Sequence, residues 1–405
     1  MSSVGLGRPL TSGVRAVLSV TYTVVLASLP AFLIGATAVL IRTEFGFNER
    51  ALGVLIAVFY ATSGLISVPG GKLGDVIGAR RALLLSTTGT GLSLLGMATV
   101  ASSYGHLVAL LVLAGASQAT AQPASNLALS RGVGRQWLGL AFGLKQAAIP
   151  TATLVAGLSV PIIALTLGWR WAFVLPAAAT LVVPFALPKL SWAGAPRAGS
   201  HAADSARGPL LLLAVAGGFG SAAAVAMPAF LVEAAVSRGI GAGTGGLILA
   251  LGSVVGIASR ITAGWRADHR DGGHLLVVAA MLGSGVVGYL LLAFAQNTPM
   301  FVVGGMIGFA AGWGWPGLFI FAFARLNPVA TGAGTGIGQA GAMTGAMIGP
   351  IIFGVLIAEV SYVAAWSMAA VEAGVAALLV LLGRAWILRL RRLGTSVRAP
   401  RPRRG

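Results

Sequence analysis

The sequence predicts an all-α membrane protein: twelve transmembrane helices arranged as two pseudo-symmetric six-helix bundles. Three observations predict it. Of 405 residues, 57% are hydrophobic and only 9% are charged, against roughly 25% charged in a soluble domain. Apolar runs of about 20 residues, each enough to cross a ~30 Å hydrocarbon core, follow one another with no soluble domain between them. A polar motif also recurs at a fixed interval. Gly71 and Asp75 are matched 193 residues later by Gly264 and Asp268.

The spans fall near residues 15–41, 51–69, 82–101, 106–128, 138–166, 170–188, 209–232, 244–263, 274–295, 300–323, 333–357 and 363–384. The first run lacks a small-residue cleavage site and many spans follow it, so it reads as an anchor rather than a leader. Spans 2 and 3 flank the first polar island, and spans 8 and 9 flank its copy. At the same offset of 193, Gly53 meets Gly246 at the starts of spans 2 and 8. Gln122-Pro123 meets Trp315-Pro316 in spans 4 and 10, and Gly143 and Gln146 meet Gly336 and Gln339 in spans 5 and 11. Pro30 to Leu33 repeats as Pro228 to Leu231 at an offset of 198. The expected organisation is a six-helix bundle over 1–188, a linker over 189–208 rich in Pro, Ala, Gly and Ser, a second bundle over 209–384, and a basic tail over 385–405.

A net charge of +18 invites a nucleic-acid reading, but topology explains it better. With the N-terminus inside, the outer loops hold Arg42, Arg50, Arg170 and Arg238 against Glu44, Glu49, Glu233 and Glu359, which cancel. The whole excess then lies on the inner side, as the positive-inside rule requires. Both termini are therefore expected in the cytosol, with no nucleic-acid partner. The Arg-rich tail is placed to meet anionic lipid headgroups. Arginine far outnumbers lysine, and Ala and Gly abound. That is the composition of a high-GC bacterial gene, so the expected location is the inner (cytoplasmic) membrane.

Several chemistries are excluded. There is no cysteine, hence no disulfide, thiol catalysis or Cys-bound metal. The four histidines are scattered, and no metal ligand set or nucleophile–base pair is seen. Gly283 to Gly288 and Gly336 to Gly341 mimic a dinucleotide fingerprint, but both lie in membrane-length apolar runs without the strand and downstream acid it needs. No phosphate-binding glycine loop is present. No cofactor and no enzyme activity are expected.

The island Gly71, Leu73, Asp75, Gly78, Arg80, Arg81 resembles the loop 2–3 signature of the major facilitator superfamily. Gly168-Trp169-Arg170-Trp171-Ala172-Phe173 is similar to that family's opening of span 6. The resemblance covers nearly the whole chain. It implies that Asp75 meets the inner end of span 11 near Gly332 to Gly336, that Arg80 pairs with Asp75 to hold the inner side closed, and that Asp268 meets the inner end of span 5. A carboxylate is favoured beside a helix N-terminus, which carries about +0.5 charge. The second copy has Gly273 where Arg80 has its counterpart.

Charge inside the membrane is costly and usually functional. On the family's plan, spans 1, 4, 7 and 10 line the cavity, flanked by 2, 5, 8 and 11, and the predicted spans of that set contain no Asp or Glu. Lys145, about two turns into span 5, is the leading candidate to bind an anionic substrate group, with Arg260 of span 8 as a partner. Either can instead snorkel to the inner headgroups. Tyr22, Gln122, Asn126, Gln146 and Gln339 are candidate hydrogen-bonding residues, and Trp313 and Trp315 candidate stacking residues. All of these serve equally as helix-packing groups. Glu372, the carboxylate inside span 12, is the candidate for coupling to a proton or ion.

The expected function is secondary active transport of a small solute by a monomer in the bilayer, through alternating access. Lys145 points to a small organic anion, and Phe142 to Pro150 resembles cyanate-permease-like members. The alternatives are a proton-coupled drug or metabolite efflux pump and a non-transporting receptor or scaffold.

Overall fold

The computed structural model describes residues 8–134, 137–187, 207–268, 272–326 and 331–393. Most of the predicted linker 189–208 and the end of the predicted tail lie outside the described residues. Among the described residues there are helices and short connections and no strand. Eleven helices are long and apolar enough to cross a membrane, and a further apolar stretch, Trp171–Ala186, is shorter.

In chain order, span 1 is Arg8–Ala36, continued past Thr37 by Ala38–Phe45. Span 2 is Glu49–Ile77, span 3 Ala79–Thr99 and span 4 Tyr104–Gly132. Span 5 is built from Leu138–Gln146, Ala148–Ser159 and a wide turn Val160–Ala164. The shorter apolar stretch, called span 6 for its place in the chain, is Trp171–Thr180 with Val183–Ala186. Span 7 is Arg207–Val236, span 8 Ala242–Asp268 and span 9 His274–Ala293. Span 10 is Thr298–Ile307, a wide turn Gly308–Gly312 and Pro316–Leu326. Span 11 is Thr331–Glu359 and span 12 Tyr362–Arg392.

Helix starts follow ordinary capping chemistry. The side chains of Asn48, Ser103 and Asn297 accept from the backbone N–H groups of Ala51, His106 and Met300. The interruption of span 10 also has a local cause. Pro316 has no N–H for the Gly312 carbonyl four residues back, and that carbonyl accepts instead from Trp315 Nε1 at 3.0 Å.

Two expectations about ends are corrected. The polar island is not a loop: span 2 continues through Gly71 and Asp75 to Ile77, and span 8 continues through Gly264 to Asp268. Spans 2 and 3 are joined by Gly78 alone, at φ +86 and ψ 152, a conformation open essentially only to glycine. The last helix likewise runs on to Arg392 rather than ending at 384, so the start of the predicted tail is helical. Both extensions put charge on the final helical turns, where side chains reach water while the backbone stays paired.

The helix ends define two faces. Gly13 packs near the carbonyl of Gly132, and Gly208 against the Trp386 ring, at what we call the terminal face. Residues 42–49, 101, 170, 233 and 359 lie at the opposite face, linked by the ion pairs and hydrogen bonds below. The two halves of the chain, 8–187 and 207–393, meet mainly toward that opposite face. A Cβ added at Gly35 would fall 2.7 Å from the Pro228 carbonyl, and one at Gly354 would fall 2.5 Å from that of Glu49.

The internal repeat is visible in these contacts. Gly53 of span 2 abuts the backbone of Pro350 in span 11, and Gly246 of span 8 abuts that of Gly157 in span 5, with added Cβ atoms at 2.1 and 2.6 Å from the carbonyl oxygens. Gly53 maps to Gly246, and Gly157 to Pro350, by the same 193-residue offset. The two cross-half seams are copies of one contact.

Candidate functional site

Three clusters carry the polar chemistry. At the terminal face, Asp75 is exposed on the last turn of span 2 and Arg81 is exposed on span 3. The expected Asp75–Arg80 pair is not formed. Arg80 Nη2 donates instead to the Pro184 carbonyl at 3.1 Å. Arg15 donates to the carbonyls of Phe185 and Ala186 at 2.7 and 3.1 Å. Two arginines thus cap the C-terminal carbonyls of the short span 6, where cations are favoured by the helix dipole. Gly71 packs on Pro123 of span 4, while Gly143, Gly264 and Gly336 each have open space beside Cα. The halves part toward this face. Asp268 lies in span 8, but its side chain and residues Gly332 to Gly334 are outside the described side chains, so the expected contacts of Asp268 and of the very end of span 11 fall there too.

At mid-depth, Lys145 is buried, and its Nζ donates to Asn126 Oδ1 of span 4 at 2.7 Å. Arg260 reaches across from span 8: Nη1 donates to the Gln146 carbonyl at 3.3 Å and Nη2 to the Trp313 carbonyl at 2.8 Å. Its guanidinium lies 4.8 Å from the Trp313 ring centroid. Deeper toward the opposite face, the Thr153 and Ser253 hydroxyls join spans 5 and 8 at 2.8 Å. The Gln146 carbonyl is available because Pro150, four residues on, carries no N–H. Among the described residues, neither Lys145 nor Arg260 forms an ion pair with a carboxylate.

The other sequence candidates sort by their contacts. Gln122 is half-buried, and Gln339 is exposed on span 11. Tyr22 donates to the Ala179 carbonyl at 2.9 Å and so ties span 1 to span 6. Trp313 is buried against Phe32 and Phe309, and Trp315 is fully buried with its N–H spent on Gly312. In this conformation Trp315 offers no face to a ligand, because it is completely buried. Glu372 is buried on the span 9–span 12 contact within electrostatic reach of Tyr289, apart from the Lys145–Arg260 cluster.

The third cluster was missed from sequence. Glu233, assigned there to an outer loop, lies inside span 7 and is 2% exposed. Arg42 Nη1 contacts Glu233 Oε1 at 2.6 Å and Glu49 Oε1 at 2.8 Å. Arg50 pairs with Glu359 of span 11. Arg42–Glu233 and Arg50–Glu359 join the two halves. Within the first half, Glu44 accepts from Arg170 and from Trp169 Nε1, both at 2.7 Å, and the Arg170 hydrogen bond holds its carboxyl below the ordinary 4.5 despite some desolvation. Arg238 instead donates to the Leu292 and Ala293 carbonyls. The signal was present in the charge balance. The four acids and three of the four arginines that cancel in the outer-loop count are the residues of these ion pairs.

A many-spanned helical bundle, its halves joined by duplicated seams and latched at one face, is the architecture of a membrane transporter. The family model described as Major Facilitator Superfamily matches residues 20–270, and the chain belongs to that family. The solved structures agree in fold. A D-xylose–proton symporter matches with TM-score 0.74 at 16% identity, over 91% of this chain and 97% of its own. A bacterial homolog of the human lysosomal transporter Spinster, inward-facing and unoccupied, gives 0.69 at 13% over 96% and 99%. A point mutant of the nucleoside transporter NupG gives 0.70 at 12% over 91% and 99%. No curated protein matches the sequence.

Proposed function

We propose that this chain is a secondary active transporter of a small organic anion, working by alternating access of two six-helix halves over twelve spans. One observation carries the anion reading. Two buried cations, Lys145 of span 5 and Arg260 of span 8, which bonds the carbonyl of the residue after Lys145, have only neutral oxygens as described hydrogen-bond partners. An intramembrane charge normally finds a counter-charge, and here a substrate carboxylate supplies it, displacing Asn126 Oδ1 from Lys145. In this reading Gln146, Gln122 and Gln339 hydrogen-bond the rest of the solute. The terminal face is cytosolic in this reading, consistent with the charge asymmetry, and the membrane is the cytoplasmic one. The monomer is the working unit, driven by a proton or ion gradient.

The gating motif fits the same cycle. Asp75 sits near the C-terminal end of its own helix, the end that disfavours an anion. Closing the terminal face brings it to the N-terminal end of span 11, which favours one. Asp268 does the same toward span 5.

The test is uptake in proteoliposomes, comparing labelled small carboxylates with organic cations. Lys145→Gln should lower anion uptake by about tenfold or more, the scale of one lost charge-assisted hydrogen bond, while Lys145→Arg retains part of it. Equal anion uptake by wild type and Lys145→Gln sinks the proposal.

A further inference from the structure

We propose that the cavity between spans 9, 10 and 12 at the terminal face binds an anionic glycerophospholipid. Arg325 and Arg384 take its phosphate, and its acyl chains lie on the apolar wall. The cavity has a volume of about 520 Å³. Arg384 enters it together with Ile387 and Leu388, three and four residues on, so one face of span 12 presents both the charge and the apolar surface. Arg325 comes from the end of span 10, its guanidinium 5.2 Å from the Phe321 ring centroid. Leu275 and Leu326 complete the apolar side.

The polar side is built for an anion. Gly272 and Gly273, at φ +96 and +81, turn the chain so that span 9 begins at the cavity. The N–H groups of Leu276 and Val277 are spent on the Gly273 carbonyl, so the two guanidinium groups are the anion's partners. No carboxylate is among the described residues that line the cavity, and among the described residues neither arginine is in an ion pair.

The apolar side selects the source of that anion. A soluble phosphate has no use for Leu275, Leu326, Ile387 and Leu388, whereas a lipid does. Trp386, on the same helix, is 45% exposed, and tryptophan is enriched at membrane–water interfaces. Basic pockets between spans at such an interface suit lipid headgroups.

The experiment is native mass spectrometry of the full-length protein with added phosphatidylglycerol or phosphatidylcholine, alongside thermal unfolding in the same mixtures. Wild type should retain phosphatidylglycerol at about 30-fold lower lipid concentration than phosphatidylcholine, the scale of two surface arginines. R325A/R384A should lose that preference. R266A/R389A removes the same charge from exposed positions outside the cavity and should keep it. R384Q repeats the test with a single mild change should the double variant not fold. A preference that persists in R325A/R384A, or falls equally in both double variants, overturns the proposal. Displacement of phosphatidylglycerol by millimolar glycerol 3-phosphate or inorganic phosphate overturns the lipid assignment in favour of a soluble phosphate.

Discussion

Arg260 on span 8 donates a hydrogen bond to the main-chain carbonyl of Gln146 on span 5, 114 residues away and in the other half of the chain. Its other terminal nitrogen holds the Trp313 carbonyl. One guanidinium thus ties the proline-interrupted start of span 5 to the interruption of span 10. Discontinuous helices of this kind frame the substrate sites of other transporters. The arrangement depends on a planar fork, which lysine lacks.

Arg260→Lys therefore keeps the charge and loses the bridge. It should cut solute flux by about tenfold while the protein still inserts and folds. Wild-type flux in this variant would show that charge alone suffices.

The Arg42–Glu233 pair joins the two halves at the opposite face. Glu233→Gln should shift the conformational equilibrium away from the observed state by roughly tenfold, about 1.4 kcal/mol. That is less than the ~3–5 kcal/mol of a wholly stranded buried partner, because Arg42 keeps Glu49. The natural absence of cysteine makes the measurement simple. A single cysteine at Gly143, which stands in open space on the terminal-face side of Lys145, should react more slowly with an impermeant maleimide in Glu233→Gln. Glu49→Gln breaks a tie within one half only and should change the rate far less. Equal effects would remove the cross-half latch from the account.

Glycine contacts separate motion from folding. Gly53→Ala places a methyl group against Pro350 of the other half, whereas Gly345→Ala drives one into the Gly218 backbone within the second half. The first should pry open the opposite face and lower transport with little loss of thermal stability. The second should lower the unfolding temperature by several degrees, the scale of an overpacking cost of about 1–3 kcal/mol. Matching stability losses in the two variants would contradict this division.

Asp75→Asn tests the terminal face. It should leave the observed conformation intact, since exposed Asp75 makes no described ion pair in it, yet reduce turnover by an order of magnitude. Flux and cysteine labelling, measured on one preparation, check both halves of the statement.

Much of this was legible in the sequence because it depends on local or periodic features. Apolar runs marked the helices, and the recurrence of Gly53 as Gly246 marked the repeat; that these glycines form the seams is seen only in the structure. Lys145 and Arg260 stood out because charge inside apolar runs is rare. The ends of the spans were misplaced where polarity was taken as an end of helix: Asp75 and Arg392 are polar and helical at once, since water solvates a side chain without unwinding its backbone. The latch was hidden for a different reason. Arg42 and Glu233 lie 191 residues apart, and Glu233 reads as a loop acid until the helix that buries it is seen. The partner of Arg80 was hidden in the same way. A main-chain carbonyl such as that of Pro184 has no signature in residue type.

The single residue between spans 2 and 3 has a mechanical meaning. A longer loop would let one helix tilt while its neighbour lagged. Gly78 allows no slack, so a tilt of span 2 is delivered to span 3 in the same instant and with fixed sign. Lengthening that elbow by even one residue would disconnect the lever.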